Sequence, residues 1–161
     1  MAFQNQSYII PALGKQGIIS RQNPIAQGSP VFAENDENGN NIVAGGFVFQ
    51  GTNSEQVKPT ATSGTVPLGV ASYSQYQIGI TADCNINQGE VLQNLYRGCI
   101  FSKPFINVAK VNQKVLIDPT TGDIMASDKE TETVEEVTFI NTGWTVKTGN
   151  SAGQVVEIQR I

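Results

Sequence analysis

A chain of 161 residues and 17.3 kDa is long enough for one domain with a real hydrophobic core. Only 15% of it is charged, against about a quarter in an ordinary soluble domain, so the polar surface must come from Asn, Gln, Ser and Thr. The net charge is −4, the ten basic residues form no run, and histidine is absent; this argues against nucleic-acid or anionic-membrane binding and excludes Ser-His-Asp, Cys-His and His-ligated metal chemistry.

The chain opens on MAFQNQSYIIPALGKQG. It lacks a basic n-region and its apolar patch is short, unlike a signal peptide. No later run approaches the roughly 18–20 apolar residues of a membrane span. The expectation is a protein that stays in the cytosol or leaves by a route needing no such signal. Residues 1–28 carry apolar side chains without clean alternation and read as an extended N-terminal arm with a first strand. Residues 29–161 read as a single β domain. ALGKQG (12–17) is no phosphate loop, since Gln follows Lys and no helix follows; it reads as a turn into the strand GIISR.

An arm that cannot fold on itself gains burial only against another subunit or another part of the domain. Its apolar residues, Phe3, Tyr8, Ile9, Ile10, Leu13, Ile18 and Ile19, are therefore the candidate partner-binding residues. Fully burying one such side chain is worth roughly 1.5–3 kcal/mol, and repetition over a lattice multiplies the attachment.

Past the arm, no dozen-residue window shows helical periodicity. Short apolar or alternating runs recur instead: SPVFAE (29–34), NIVAGGFVFQ (41–50), PLGVASY (67–73), YQIGI (76–80), EVLQNLY (90–96), CIFS (99–102), FINVAK (105–110), KVLID (114–118), DIMAS (123–127), EEVTFI (135–140), WTVKT (144–148) and QVVEIQR (154–160). They are rich in Val, Ile, Phe, Tyr and Thr, which suit a pleated, half-buried surface. Turn sequences such as ENGN, NQGE, YRGC, PTTG and NTGW divide them. The pattern predicts an all-β sandwich or barrel. GTNSEQVKPTATSGT (51–65) reads as a long polar loop. SDKETETVEE (127–136) reads as an acidic connection or edge whose charges guard against unwanted pairing.

The chemical candidates are few. ENDENGNN (34–41) matches a calcium loop at Asp36, Asn38 and Gly39, but position 1 is Glu34 and position 12 is Gly45, which has no carboxylate. The Asn-Gly pair reads better as a hairpin between VFAE and IVAGG. In VLIDPTTGDI (115–124), Asp118-Pro119 starts a turn and Gly122 returns the chain, so the two aspartates read as a hairpin with an exposed tip rather than a site. Cys84 and Cys99 read as small buried residues, or as one bridge if their strands are neighbours. Trp144 and Tyr96 could serve a carbohydrate-binding module, although a core or rim role fits Trp144 better. The carboxylates sit in turns and polar loops, poor settings for an acid pair in glycoside hydrolysis. No residue calls for a metal or cofactor, and the expectation is a non-enzymatic structural or binding protein.

Three pieces of the chain resemble the capsid cement, or decoration, proteins of tailed bacteriophages. They are YIIPALGKQGIISRQNPIAQGSPVF, SGTVPLGVASYS with its Pro-x-Gly-Val-Ala strand, and VNQKVLIDPTTGDIMAS, where Asn112-Gln113 stand in place of a usual Gly. The resemblance implies a jelly-roll-like or related β-barrel with an extended N-terminal arm. It implies a homodimer or homotrimer that clamps major capsid proteins on the outside of the head, with no catalytic residues. It implies synthesis in the host bacterial cytoplasm, where reduced thiols fit. The alternatives are another virion β domain, such as a head-fibre base or tail part, and a carbohydrate-binding module.

Overall fold

The computed structural model describes residues 16–72 and 84–161. Within them the chain forms strands, turns and loops, with no helix. The strands in chain order are β1 (Ile19–Gln27), β2 (Val31–Ala33), β3 (Ile42–Val43), β4 (Phe47–Gln50), β5 (Gln56–Lys58), β6 (Gly69–Ser72), β7 (Asn85–Ile86), β8 (Val91–Phe101), β9 (Lys114–Ile117), β10 (Ile124–Ser127), β11 (Thr131–Val134), β12 (Val137–Thr148) and β13 (Glu157–Arg160). The run YQIGI (76–80) lies outside the described residues.

Strand β8 organises the fold. Along one side it pairs with β1 and then β2, and along the other with β6 and β13. Following β8 through β2, β5, β4 and β6 returns to β8, so these five strands close into a small barrel. The closure depends on a parallel pair, β2 with β5. The other end of β8 continues through β13, β12, β9 and β10 as an antiparallel sheet.

The strand sequences explain this layering. Each barrel strand gives one residue to a shared cluster: Ala33, Val57, Val48, Ala71 and Leu92, joined by Ile42 and Ile86 of the β3–β7 pair. The next residues along β4 and β6, Phe47, Phe49 and Val70, turn the other way. They enter a larger cluster with Val115, Ile117, Ile124, Trp144, Val146 and Ile158 of the second sheet. Strands buried on both faces need apolar residues at successive positions, and this accounts for the unbroken FVF of β4, VLI of β9 and IMA of β10. Trp144 anchors the larger cluster at 1% exposure and meets Phe47 edge to face, with centroids 6.3 Å apart.

Several sequence expectations need correction. YRGC and NTGW are not turns: β8 and β12 run straight through them, with Gly98 and Gly143 at φ 130° and 78°. Around Gly143 the β12–β9 register slips between Asn141 and Thr145. Asn141 Oδ1 accepts the Gly143 N–H at 2.8 Å, and Thr142 Oγ1 donates to Val115 O at 2.8 Å. A glycine bulge thus bends the strand without ending it. The polar stretch 51–65 is not all loop, because β5 lies inside it. FINVAK forms no strand; only Ala109 makes a bridge, to Asn150. The Asn-Gly turn exists, but its flanking strands do not pair with each other: β2 pairs with β5 and β8, and β3 with β7. SDKETETVEE contributes β11, which among the described residues pairs only with β12 and so forms an acidic edge, as read. Cys84 and Cys99 are both buried, as read, and the alternative of a bridge between them is not formed.

Candidate functional site

The acidic motifs of the sequence come together in space. Loop 34–41, loop 58–62 and the turn 118–123 meet around Thr60. The Thr60 hydroxyl donates to Asp36 Oδ2 at 3.0 Å, and the Ala61 N–H donates to Pro119 O at 2.7 Å. Two shallow clefts flank Thr60. One, of about 180 Å³, lies between Glu37, Lys58 and Thr120. The other, of about 230 Å³, lies between Asn41, Phe47 and Lys103.

The carboxylates here are structural anchors. Asp36 accepts from the Asn38 and Asn40 N–H groups at 3.0 and 2.8 Å and from Asn40 Nδ2 at 2.9 Å. Burial pushes its pKa up, but these bonds and Thr60 outweigh that and hold it below the ordinary value. Glu34 accepts from the Thr52 hydroxyl at 2.5 Å and the Thr52 N–H at 2.7 Å, which lower its pKa. Among the described residues no group of three or more acidic or Cys side chains is placed to share a metal. The sequence predicts an exposed tip for VLIDPTTGDI, but Asp118 is only 3% exposed. It accepts from the Thr120 N–H at 2.9 Å, the Thr120 hydroxyl at 2.8 Å and the Thr121 hydroxyl at 2.7 Å. With Gly122 N–H to Asp118 O at 2.8 Å and Ile117 paired with Ile124, the hairpin itself is as read. Asp118 folds the tip inward because two threonine hydroxyls and a backbone N–H supply the partners that water would otherwise give.

The candidate arm residues divide. Phe3, Tyr8, Ile9, Ile10 and Leu13 lie outside the described residues. Ile18 is 42% exposed, while Ile19 opens β1 and packs against the larger core cluster. Ile19 is therefore occupied within the domain. From Gln16 on, the chain is tied down: Gln16 Nε2 donates to Ala44 O at 3.0 Å and Gly17 N–H to Phe101 O at 2.7 Å. Ile25, Phe32 and Tyr96 are also exposed, on β1, β2 and β8, which pair with one another through β8. Trp144, deep in the core, offers no face to a sugar.

A second apolar surface escaped the sequence reading. Ile106 and Val108, in the segment read as a strand, and Val111, just after it, are each half exposed or more. This segment covers the free edge of β10: Ile106 N–H donates to Ile124 O at 3.0 Å, and the Asn107 side chain both donates to Ala126 O at 2.8 Å and accepts from Ala126 N–H at 2.9 Å. One side-chain amide thus replaces a strand partner and guards the edge. The alternation of FINVAK was the available signal, since it turns Phe105 and Ala109 inward and Ile106 and Val108 outward. Lys103 was also missed. Its side chain is 19% exposed and lies 3.6 Å from Asp123; burial lowers its pKa against the pull of Asp123. A lone Lys in SKPF carries no sequence signal of burial.

A family model described as a structural cement protein (E217 gp24/Pam3 gp6) matches residues 3–161. No curated protein matches the chain. Among solved structures, a chain from the capsid of Myoviridae phage XM1 superposes with a TM-score of 0.62 at 14% identity, covering 99% of this chain and 97% of that one. The head fibre gp8.5 N base of bacteriophage phi29 superposes with a TM-score of 0.51 at 13% identity, covering 85% of this chain and 94% of that one. At these identities the likeness is one of fold.

Proposed function

Because the chain belongs to the phage structural cement protein family, it is a structural component of the virion, and we propose that it binds the outer surface of the head and holds neighbouring major capsid proteins together. The family match along nearly the whole chain carries this reading. The N-terminal segment supplies the grip: Phe3, Tyr8, Ile9, Ile10 and Leu13 bury against a capsid subunit, with exposed Ile18 continuing that surface to the root of β1. Ile19 holds the root in place rather than touching the partner. The protein acts as a homodimer or homotrimer, made in the host bacterial cytoplasm, and performs no catalysis. A net charge of −4 suits a position outside the shell, away from packaged DNA.

The test is a preparation of heads lacking this protein. They should burst at lower temperature and under milder osmotic shock than complete heads, and adding the purified protein back should restore them. Heads of equal resistance with and without it would overturn the proposal. The resemblance to a head-fibre base favours a second reading, a support for a fibre. Copy number separates the two: a cement protein is present in hundreds of copies per virion on the order expected for lattice decoration, a fibre support in far fewer, and densitometry against the major capsid protein decides.

A further inference from the structure

The cleft of about 230 Å³ beside Thr60 has one charged lining residue, Lys103. In a chain of net charge −4 that is an unusual lining. The lysine is seated with care. Its backbone N–H donates to Gly45 O at 2.9 Å. Its stem passes the Gly45-Gly46 turn, where a Cβ on Gly46 would stand 3.8 Å from Lys103 Cδ, and its ammonium ends beside Gly122, at 4.0 Å from a Cβ there. Its partner, Asp123, stands at 3.6 Å, beyond hydrogen-bond reach, with a side chain that is 52% exposed and so largely solvated. An ammonium has three donors; one faces Asp123 across this long ion pair, and two remain for the cleft.

The other polar groups of the cleft are mostly spent. Asn40 Nδ2 and the Thr60 hydroxyl donate to Asp36 at 2.9 and 3.0 Å, and the Thr121 hydroxyl donates to Asp118 at 2.7 Å. Asn41 lines the cleft with a side-chain amide that makes no hydrogen bond among the described residues. Val43, Phe47 and Pro59 add apolar wall. We propose that this cleft binds a single carboxylate on a short aliphatic stem, with the Lys103 ammonium and the Asn41 amide holding the oxygens and Val43, Phe47 and Pro59 lining the stem. Water screens the half-exposed Asp123 carboxylate, so the ammonium can still balance one monoanionic carboxylate and no more. A phosphate, with about two negative charges at neutral pH, would call for a second cation, and Lys103 is the one charged residue lining the cleft.

Such a group comes either from an acidic side chain of a neighbouring protein or from a free short-chain acid. The site itself stands apart from the shell-binding role; only the choice of source rests on it. The first experiment is a solution NMR titration of the purified protein with N-acetyl-glutamate amide, using N-acetyl-glutamine amide as the neutral match. The acid should shift the Lys103 side-chain and Asn41 amide resonances saturably, and the neutral analogue should not. Lys103→Met should weaken binding about tenfold or more, and Asn41→Ala should weaken it less. Equal response to both analogues, no response to the acid, or unchanged binding by a folded Lys103→Met protein would overturn the proposal. The analogue comparison uses the unmodified protein, so it decides even if Lys103→Met fails to fold. The second arm measures attachment of folded Lys103→Met to heads lacking the protein. Weakened attachment with acid binding lost assigns the carboxylate to a neighbouring protein. Normal attachment with acid binding lost assigns it to a free acid and leaves the head-binding role standing.

Discussion

Two residues show how local sequence is used. Gly69 of PLGVASY sits where β6 passes β8, and a Cβ there would lie 2.2 Å from Asn94 Oδ1 and 2.5 Å from Leu95 O. Neither the Leu95 backbone nor the 1% exposed Asn94 can yield easily. Gly69→Ala should therefore cost about 1–3 kcal/mol, read as a lower urea midpoint with unchanged slope; an unchanged midpoint would show that the strands separate more freely than they pack. Asp118 makes the complementary case. Its carboxylate satisfies one N–H and two hydroxyls inside the turn, so Asp118→Ala should cost about 1–2 kcal/mol, with Asp118→Asn intermediate, both followed by thermal unfolding. That this aspartate belongs to a hairpin was legible from Asp-Pro and Gly at their spacing. That it is buried was not, because the hydroxyls that solvate it are read as ordinary turn residues until their direction is known.

At the scale of elements, the β11–β12 hairpin turns on Glu135 and Glu136, both at positive φ, 48° and 70°. Val134 pairs with Val137, so the loop has two residues and takes the type I′ form, which favours Asn-Gly. Two glutamates held in the left-handed region each cost on the order of 1 kcal/mol. Glu135→Asn with Glu136→Gly should raise the melting temperature by a few degrees, about what 1 kcal/mol gives in a domain of this size; a drop would mean the glutamates serve contacts that outweigh the strain. Element order was largely legible, since alternation and turn residues mark most strands. The misses share a cause. Gly98 and Gly143 look like turn residues, but paired strands on both sides of β8 and β12 carry the chain through, in regular register with β13 at Gly98 and as a bulge at Gly143. Gln56-Val57-Lys58 has one apolar residue and little strand propensity, yet neighbours on both edges, β2 and β4, make it a strand. Pairing partners distant in sequence decide these cases.

For the whole molecule, acidity sets a limit. Glu34, Asp36, Glu130 and Glu132 all have folded-state pKa values below their ordinary ones. For Asp36, burial acts the other way but is outweighed by its hydrogen bonds; Lys114 and Asn141 lower Glu130, and Ser127 with Lys129 lowers Glu132. A depressed carboxylate contributes stability that is complete above its unfolded pKa, about 3.9–4.3, and that disappears as pH falls through the lower folded value. The urea midpoint should hold from neutral pH to about 5 and fall below about 4, and Thr52→Val should shrink the part of that fall due to Glu34. Glu130 is exposed and the other three are partly so, so the fall should be gradual. The division between body and N-terminal segment is testable at the same scale. Gln16 and Gly17 are the first described contacts with the body, so removing residues 1–15 should leave the melting temperature nearly unchanged while abolishing co-sedimentation with heads. Loss of folding would assign those residues to the core. Barrel closure through a parallel β2–β5 pair, and the seating of Lys103 in a cleft formed by three separate loops, could not be read from the sequence, because both depend on segments joined only by the complete topology.

The position of β8 has a mechanical consequence. A tether at the root of β1 passes its load into β8 across antiparallel bonds between Ile19–Gln27 and Leu95–Ile100. Tension along the strand axis strains those bonds side by side, in shear, rather than opening them one after another like a zipper. From β8 the load spreads at once into the barrel through β6 and into the second sheet through β13. A shell that swells under internal pressure would thus pull on the strand that joins the barrel to the second sheet.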